Sequence, residues 1–197
     1  MNFLAHTYLS GNDKEIKIGN FIADDLKGSS YLKYPEKIAL GVKIHRAIDS
    51  FADSHHFYSI GKTRLAEKYG HYSGIVLDVF FDHFLATHWE KFSNENFRAF
   101  CRNFYLNLVL YFPILTPKCK FITPFMISKD WLGSYKELDK IESVLFRLSR
   151  RTSLPQESKF ARKILVENYE FYQLEFLEFM PEVIQMVEQK FNIQCKY

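Results

Sequence analysis

Two aspartates inside an apolar segment are the first candidates for chemistry. Asp78 and Asp82 stand four residues apart in GIVLDVFFDHFL, residues 74–85. This spacing puts both carboxylates on one face of a helix, and their apolar neighbours predict that the helix is buried. Because two buried carboxylates repel each other, they need a cation, and a bound metal ion is the usual solution. We therefore expect Asp78 and Asp82 to be metal ligands, with helix capping or an arginine salt bridge as the alternative.

A second constellation lies upstream, in IHRAIDSFAD at residues 44–53. His45 and Asp49 have the same four-residue spacing, and Asp53 adds another turn, so one helix would present imidazole and carboxylate together to a metal ion. Arg46 stands beside them. Its planar guanidinium suits bidentate contact with phosphate oxygens, which favours a phosphorylated substrate. A structural role for each histidine taken singly is the alternative.

Several enzyme classes lack their motifs in this chain. It has no Glu-x-x-His pair, no His-Glu-x-x-His, no Gly-x-Ser-x-Gly and no glycine-rich phosphate loop, which disfavours ferritin-like, metalloprotease, α/β-hydrolase and P-loop proteins. Carboxylates with one or two imidazoles suit Mn²⁺, Mg²⁺ or Fe²⁺ better than a structural zinc ion. By spacing alone, the Asp24-Asp25 pair is an ordinary solvated helix face.

The elements that position these residues are predicted to be helices. The chain has only 8 Gly and 6 Pro and no alternating apolar and polar runs, so the fold class is all-α. Breaks are expected at Gly11-Asn12, at Gly28 to Pro35, at Gly70 to Gly74, at Pro113 to Pro124 and at Thr152 to Pro155. These breaks predict six or seven helices. Because 197 residues are marginal for two domains, we expect one domain over 1–197.

Composition and charge narrow the class further. With 47% hydrophobic and 17% aromatic residues, the chain is typical of a soluble globular protein with a bulky core. A net charge of +3 is too small for a protein that binds duplex nucleic acid. Three separated cysteines predict reduced thiols. Without a basic leader or an uninterrupted apolar span, we expect a cytoplasmic protein with no membrane contact; the oligomeric state is not predicted.

The order of several motifs resembles the acyl carrier protein phosphodiesterases. The matching segments are MNFLAH at 1–6, Gly19-Asn20, Ala23-Asp24, His45-Arg46, Ile48-Asp49, Asp78-Val79, Asp82-His83-Phe84-Leu85, His88-Trp89, Trp131-Leu132, Tyr135 and Arg150-Arg151. The resemblance implies a compact helical fold, circularly permuted relative to the HD-type metal-dependent phosphohydrolases. The chain departs from the HD pattern, since it contains only the reversed order Asp82-His83.

The resemblance also implies a reaction and a site. Members of the family remove 4′-phosphopantetheine from the serine of holo-acyl carrier protein with a divalent metal, usually manganese. We expect a metal site and supporting groups: Asp24, His45, Asp78 and Asp82 as ligands, His6, Asp49 and His83 as supports or proton carriers, and Arg46 on the phosphate or on an aspartate of the site. Because His83 lies about 100° around the helix from Asp82, both can face the metal only if the site wraps that helix.

The implied partner is a small, acidic carrier protein, which requires a basic docking surface. Two clusters are candidates: Lys27, Lys33, Lys37 and Lys43, and Arg147, Arg150 and Arg151. Ordinary solubilising charges are the alternative for each cluster. Two other functions stay open, since a fold does not fix a substrate: a phosphohydrolase acting on a nucleotide or other small phosphodiester, and a non-catalytic helical binding module.

Overall fold

The computed structural model describes residues 1–150 and 152–195, and all regular elements in these residues are helical. The α-helices are α1 (Phe3–Tyr8), α2 (Lys14–Ile22), α3 (Glu36–Ser54), α4 (His56–Thr63), α5 (Ala66–Tyr69), α6 (Ser73–Thr87), α7 (Trp89–Phe92), α8 (Phe97–Leu110), α9 (Pro117–Ser128), α10 (Trp131–Ser134), α11 (Leu138–Ser149), α12 (Ser158–Glu167) and α13 (Tyr169–Phe191). Short 3₁₀ turns cover Ala23–Asp25, Ser30–Lys33, Gly70–Tyr72 and Phe112–Ile114. The all-α class is confirmed.

The predicted number of six or seven helices is wrong, because thirteen α-helices are present in the described residues and nine of them have at least seven residues. Several helices start at capping side chains rather than at Gly or Pro. Asn96 accepts hydrogen bonds from the first turn of α8, and Asp130, in the left-handed region at φ 43°, caps α10. The expected break from Pro113 to Pro124 is also wrong in part, since α9 begins at Pro117 and contains Pro124.

Helix α6 is the central element of the fold. It packs against α1, α4, α11 and α13, and most of its residues, including Phe80, Phe81 and Phe84, are completely buried. Nearly all buried hydrophobic side chains of the described residues join it in one cluster. This burial supplies the apolar surroundings that the sequence predicts for Asp78 and Asp82.

Helices α2 and α3 pack unusually closely, and two glycines allow it. A Cβ atom at Gly19 would lie 1.9 Å from the carbonyl oxygen of Ile38, and one at Gly41 would lie 2.2 Å from that of Ile16. No side chain can be accommodated at either place, because real Cβ contacts are far longer. The close approach brings Asn20 of α2 against His45 of α3, and this contact orients the candidate site.

The remaining sequence expectations concern the cysteines and the membrane. Cys101, Cys119 and Cys195 are buried with free thiols. Among the helices of the described residues, none combines the length and the apolar character that crossing a membrane would require.

One buried carboxyl group on α13 should make the stability of the fold depend on pH. Glu175 is buried, its Oε2 atom has no hydrogen-bond partner among the described residues, and burial raises its pKa to about 7 although Arg64 opposes the shift. The folded state therefore favours the protonated carboxyl, so the free energy of unfolding should fall as the pH rises from about 4.5 to 7. Glu175→Gln removes the titrating group, so we expect the fall in the free energy of unfolding over this pH range to be about 1–3 kcal/mol smaller in the variant.

Urea denaturation at pH 5 and pH 8 measures this effect. The Gln variant should be more stable than the wild type at pH 8 and nearly equal to it at pH 5. An equal difference at both pH values would show that the carboxyl group does not titrate with a raised pKa.

Candidate metal centre

Three side chains from α1 and α3 lie close together in the fold. His6 of α1 and His45 and Asp49 of α3 offer ligand atoms that all lie within 4.8 Å of one another. Asp49 contacts both imidazoles, with Oδ1 3.1 Å from His6 Nε2 and Oδ2 3.0 Å from His45 Nε2. Two imidazoles and a carboxylate are donors that divalent transition metals bind well. These residues could together hold a metal ion.

Asn20 fixes the orientation of His45. Its Oδ1 atom lies 2.9 Å from His45 Nδ1, and its Nδ2 atom donates to the His6 carbonyl oxygen and to Ser10 Oγ. Because both amide hydrogens are used in this way, Oδ1 faces the ring and must accept a hydrogen from Nδ1. His45 Nε2 is then left to face the carboxylates, which is the arrangement of a metal-binding histidine held by a polar neighbour.

The two imidazoles differ in charge. Their rings stack with centroids 4.0 Å apart, so a positive charge on both rings at once would be energetically unfavourable. Burial alone would lower the pKa of His45, but its hydrogen bonds to Asp24 and Asp49 raise that pKa to about 9. Burial and the neighbouring His45 lower the pKa of His6 to about 4. The cluster therefore attracts positive charge at His45 Nε2, where the carboxylates meet, and keeps His6 neutral with a free lone pair.

Two further observations agree with a bound ion. His6 Nδ1 has no hydrogen-bond partner among the described residues, and Nε2 lies near Asp49 without hydrogen-bond alignment, although the ring is buried. A cavity of about 30 Å³ lined by His6, Asn20, Asp24 and His45 adjoins the cluster. This volume is enough for a water molecule or an ion. The donor set and the space thus fit a divalent metal.

Asp24 stands on the rim of the cluster. It follows α2 in the turn Ala23–Asp25, its Oδ1 atom lies 3.1 Å from His45 Nε2, and its side chain is 70% exposed. The hydrogen bond from His45 holds the pKa of Asp24 below its ordinary value. An exposed, ionised carboxylate at this position can reach either an ion in the cluster or a substrate.

Asp78 is separated from the cluster by the amino group of Met1. Its Oδ1 atom is 2.8 Å from the amino group of Met1, which is also 3.8 Å from Asp49, and it accepts a hydrogen bond from Tyr58. Burial raises the pKa of Asp78, and the Met1 ammonium group opposes the shift. The structure therefore brings Asp78 to the same cavity wall as Asp49, but with a cation between them.

Asp82 serves a different partner. Its two oxygens accept hydrogen bonds from the backbone N–H groups of Leu4, at 2.8 Å, and of Ala5, at 3.0 Å, at the start of α1. Burial nevertheless raises the pKa of Asp82 to about 7. A carboxylate at a helix N-terminus satisfies donors that have no partner within the helix. Asp82 thus holds in place the helix that carries His6.

Removing that carboxylate should destabilise the protein. We expect Asp82→Ala to lower the free energy of unfolding by about 3 kcal/mol, because it leaves two buried N–H groups without an acceptor. Asp82→Asn keeps one acceptor oxygen and should cost less. Urea denaturation measures both variants, and an Ala variant as stable as the wild type would contradict the bonding role.

Two other expected site residues are not brought into the cluster. His83 lies on another side of α6, with Nδ1 2.7 Å from the Tyr135 carbonyl oxygen and Nε2 3.0 Å from Tyr169 Oη. Arg46 donates to the carbonyl oxygens of Leu26 and Gly28. The guanidinium is used by the loop after Asp25 and is not directed at the carboxylates.

The sequence reasoning missed Asn20 and Tyr58 as site residues. Asn20 stood in a segment that carried the family resemblance but received no role, and its adjacency to Gly19 was the available signal. Tyr58 had no signal, because it contacts Asp78 only through the packing of α4 on α6.

A groove leads from the cluster across the surface, with a volume of about 810 Å³. Asp24, His45, Asp49 and Asp78 are among the residues that line it. Its other walls combine apolar side chains with two cations: Ile75, Phe121, Ile122, Trp131, Leu148, Lys118 and Arg150. Volumes of this size are typical of small-molecule sites.

Comparison with known proteins places the chain in one family. A family model described as acyl carrier protein phosphodiesterase matches residues 1–183. Proteins named acyl carrier protein phosphodiesterase from Yersinia pestis and Klebsiella pneumoniae subsp. pneumoniae are 29% and 28% identical over 193 and 191 residues, covering 96% of this chain and 99% of each relative. One from Escherichia coli O45:K1 is 26% identical over 194 residues, with the same coverage. No solved structure matches significantly. The chain belongs to the acyl carrier protein phosphodiesterase family.

Proposed function

We propose that this protein is a metal-dependent phosphodiesterase that hydrolyses 4′-phosphopantetheine from the serine of holo-acyl carrier protein. The family and its full-length relatives support the enzyme class and the carrier-protein substrate. The observation that carries the metal dependence is the convergence of His6, His45 and Asp49 on one point beside a small cavity. A binding module would have no need of a neutral, buried histidine that lies against a carboxylate without a hydrogen bond.

The ligands that we propose are His6, His45 and Asp49, with Asp24 joining from the rim. Asp78 remains a candidate, since only the Met1 amino group separates it from Asp49. We assign Asp82 to holding α1 and leave His83 and Arg46 outside the metal centre, because their polar atoms are bonded elsewhere. Oxygen-rich ligands with imidazole favour Mn²⁺, and Mg²⁺ or Fe²⁺ are alternatives.

A divalent ion in this cluster would lower the pKa of a bound water and offset charge on the phosphodiester oxygens. Residues of the protein orient the ligands and transfer the proton. Asn20 keeps His45 Nε2 directed at the ion. Asp24, exposed and ionised, would accept a proton from the attacking water at its free oxygen and return it to the serine oxygen as the bond from that oxygen to phosphorus breaks. Tyr58 and the Met1 amino group hold Asp78 in place at the cavity wall.

The carrier protein would dock beside the part of the groove that Asp24 and Asp49 line. Of the two basic clusters, the first is partly used, because Lys37 pairs with Asp13 at 2.7 Å. In the second, Arg150 is exposed and lines the groove, while Arg147 lies over the Trp131 ring at 5.8 Å. Arg151 lies outside the described residues. We propose that Arg150 faces the acidic carrier protein.

Four sequence expectations stay predictions: the relation to the HD-type phosphohydrolases by circular permutation, the single domain over 1–197, the cytoplasmic location and the absence of nucleic acid partners. The ligands of the proposed site come from α1, α3 and the turn after α2. Such a set from separated segments is compatible with a permuted order of the HD ligands.

Mass spectrometry of holo-acyl carrier protein tests the function directly. Incubation with the enzyme and Mn²⁺ should remove the 4′-phosphopantetheine mass from the carrier protein, chelation by EDTA should stop the loss, and added Mn²⁺ should restore it. An intact holo-protein after incubation with the Mn²⁺-loaded enzyme would contradict the proposal. Hydrolysis of a nucleotide diester in its place would favour the phosphohydrolase alternative.

A further inference from the structure

We propose that the groove holds the 4′-phosphopantetheine arm of the substrate, with Phe121 as a wall of the arm site; this inference rests on the proposed function. Asp24, His45 and Asp49, three of the proposed ligands, belong to the lining of the groove. The scissile phosphate must lie beside these residues. The phosphate of a diester carries two substituents, so one of these two substituents must occupy the groove.

The shape of the groove selects between these substituents. One substituent is a serine on the surface of a folded protein, and a folded protein cannot enter a groove of about 810 Å³. The other is a slender chain with a geminal dimethyl group, two amides and a thiol. The groove volume of about 810 Å³ lies in the range of small-molecule sites, so a single extended chain fits.

The chemistry of the walls agrees with this occupant. Ile75, Ile122 and Trp131 give the groove apolar contacts for methyl and methylene groups. Lys118 stands among them; its ammonium group lies 3.2 Å from Asp25 and has further N–H donors, from which an amide oxygen can accept. A few polar groups among apolar walls are typical of sites that fix the orientation of one small ligand.

Phe121 is the most unusual wall residue. Its side chain is 67% exposed on α9, and its ring lies 5.7 Å from that of Phe125, one turn further along the helix. Exposed aromatic side chains at the edge of a site often mark a surface that a ligand covers. Helix α9 places Phe121 one turn from Lys118, and both residues line the groove.

Phe121→Ala tests the proposal, since an exposed side chain can be removed without opening the core. We expect the KM for holo-acyl carrier protein to rise about fivefold, and the dissociation constant of free 4′-phosphopantetheine, measured by calorimetry on the Mn²⁺-loaded enzyme, to rise by the same factor. The affinity for Mn²⁺ and for apo-acyl carrier protein should not change. Phe146→Ala is the matched control, because Phe146 is 47% exposed on α11 and does not line the groove.

The outcomes separate this inference from the proposed function. If the wild type releases 4′-phosphopantetheine but Phe121→Ala binds it as tightly as the wild type does, the arm site is wrong and the function stands. Weaker binding of apo-acyl carrier protein with unchanged binding of 4′-phosphopantetheine would assign the groove to the carrier protein and overturn the inference. A wild type that releases no 4′-phosphopantetheine would contradict the function itself.

Discussion

Asparagine in place of Asp49 is expected to reduce kcat/KM for the release of 4′-phosphopantetheine by about a thousandfold. Asp49 contacts both His6 and His45; burial raises the pKa of Asp49, but its interactions with the two imidazoles outweigh burial and hold that pKa well below the usual range. Asparagine keeps the shape of the side chain but removes the negative charge that a divalent ion requires. Steady-state kinetics with holo-acyl carrier protein and Mn²⁺ measure the effect.

Asp53→Asn is the matched control for this change. Asp53 has the same side chain on the same helix, one turn further, where it lines the groove and lies 3.9 Å from Lys62. We expect its kcat/KM to stay within a few-fold of the wild type. Equal losses in both variants would mean that Asp49 acts only through the general negative potential of the groove.

Asn20→Ala should lower the affinity for Mn²⁺ by about 10- to 100-fold, because it releases the ring of His45. The lost contact is the 2.9 Å hydrogen bond at His45 Nδ1, which fixes Nε2 as the atom directed at the carboxylates. Activity should fall at low Mn²⁺ and recover in part when Mn²⁺ is raised. Titration of Mn²⁺, followed by its electron paramagnetic resonance signal, measures the affinity without turnover.

Ser10→Ala separates this positioning role from simple packing. It removes the 2.9 Å hydrogen bond from Asn20 Nδ2 to Ser10 Oγ but leaves the contact between Asn20 and His45 in place. We expect Mn²⁺ affinity close to that of the wild type. A loss as large as that of the Asn20 variant would place the effect in the surroundings of α2 and not in the orientation of His45.

The sequence was sufficient for the fold class but not for the helix boundaries. Helical spacing of Leu77, Phe81 and Leu85 predicts a buried stripe, and all three are buried. The same spacing predicts that Leu174 is buried on α13, but Leu174 is 59% exposed, because the buried face of α13 is formed by neighbours such as Tyr172, Phe176 and Phe179. Boundaries at Asn96 and Asp130 depend on side-chain caps that look like ordinary polar residues in a sequence.

In the site, the spacing of residues along the sequence predicts only contacts between side chains of the same helix. His45 and Asp49 stand four residues apart on α3, and their side chains meet at 3.0 Å. Spacing could not show that α1 brings His6 against them, or that Gly19 and Gly41 let Asn20 reach His45. These contacts exist only after the helices pack.

The contrast between Asp78 and Asp82 has the same origin. On α6, Asp82 is completely buried and Asp78 is largely buried, as their apolar neighbours predict, but burial does not say which partner compensates each carboxylate. Asp78 meets the amino group of Met1 and the hydroxyl of Tyr58. Asp82 meets the N-terminus of α1. Helix dipoles and backbone donors are invisible in a sequence until the helix that supplies them is placed.

Anomalous diffraction from crystals grown with Mn²⁺ tests the metal centre most directly. The manganese peak should lie within bonding distance of His6, of His45 Nε2 and of Asp49, and it should disappear in crystals of the Asp49→Asn variant. A manganese ion held by Asp82 and His83, or well-ordered crystals with no peak at the three predicted ligands, would contradict the account.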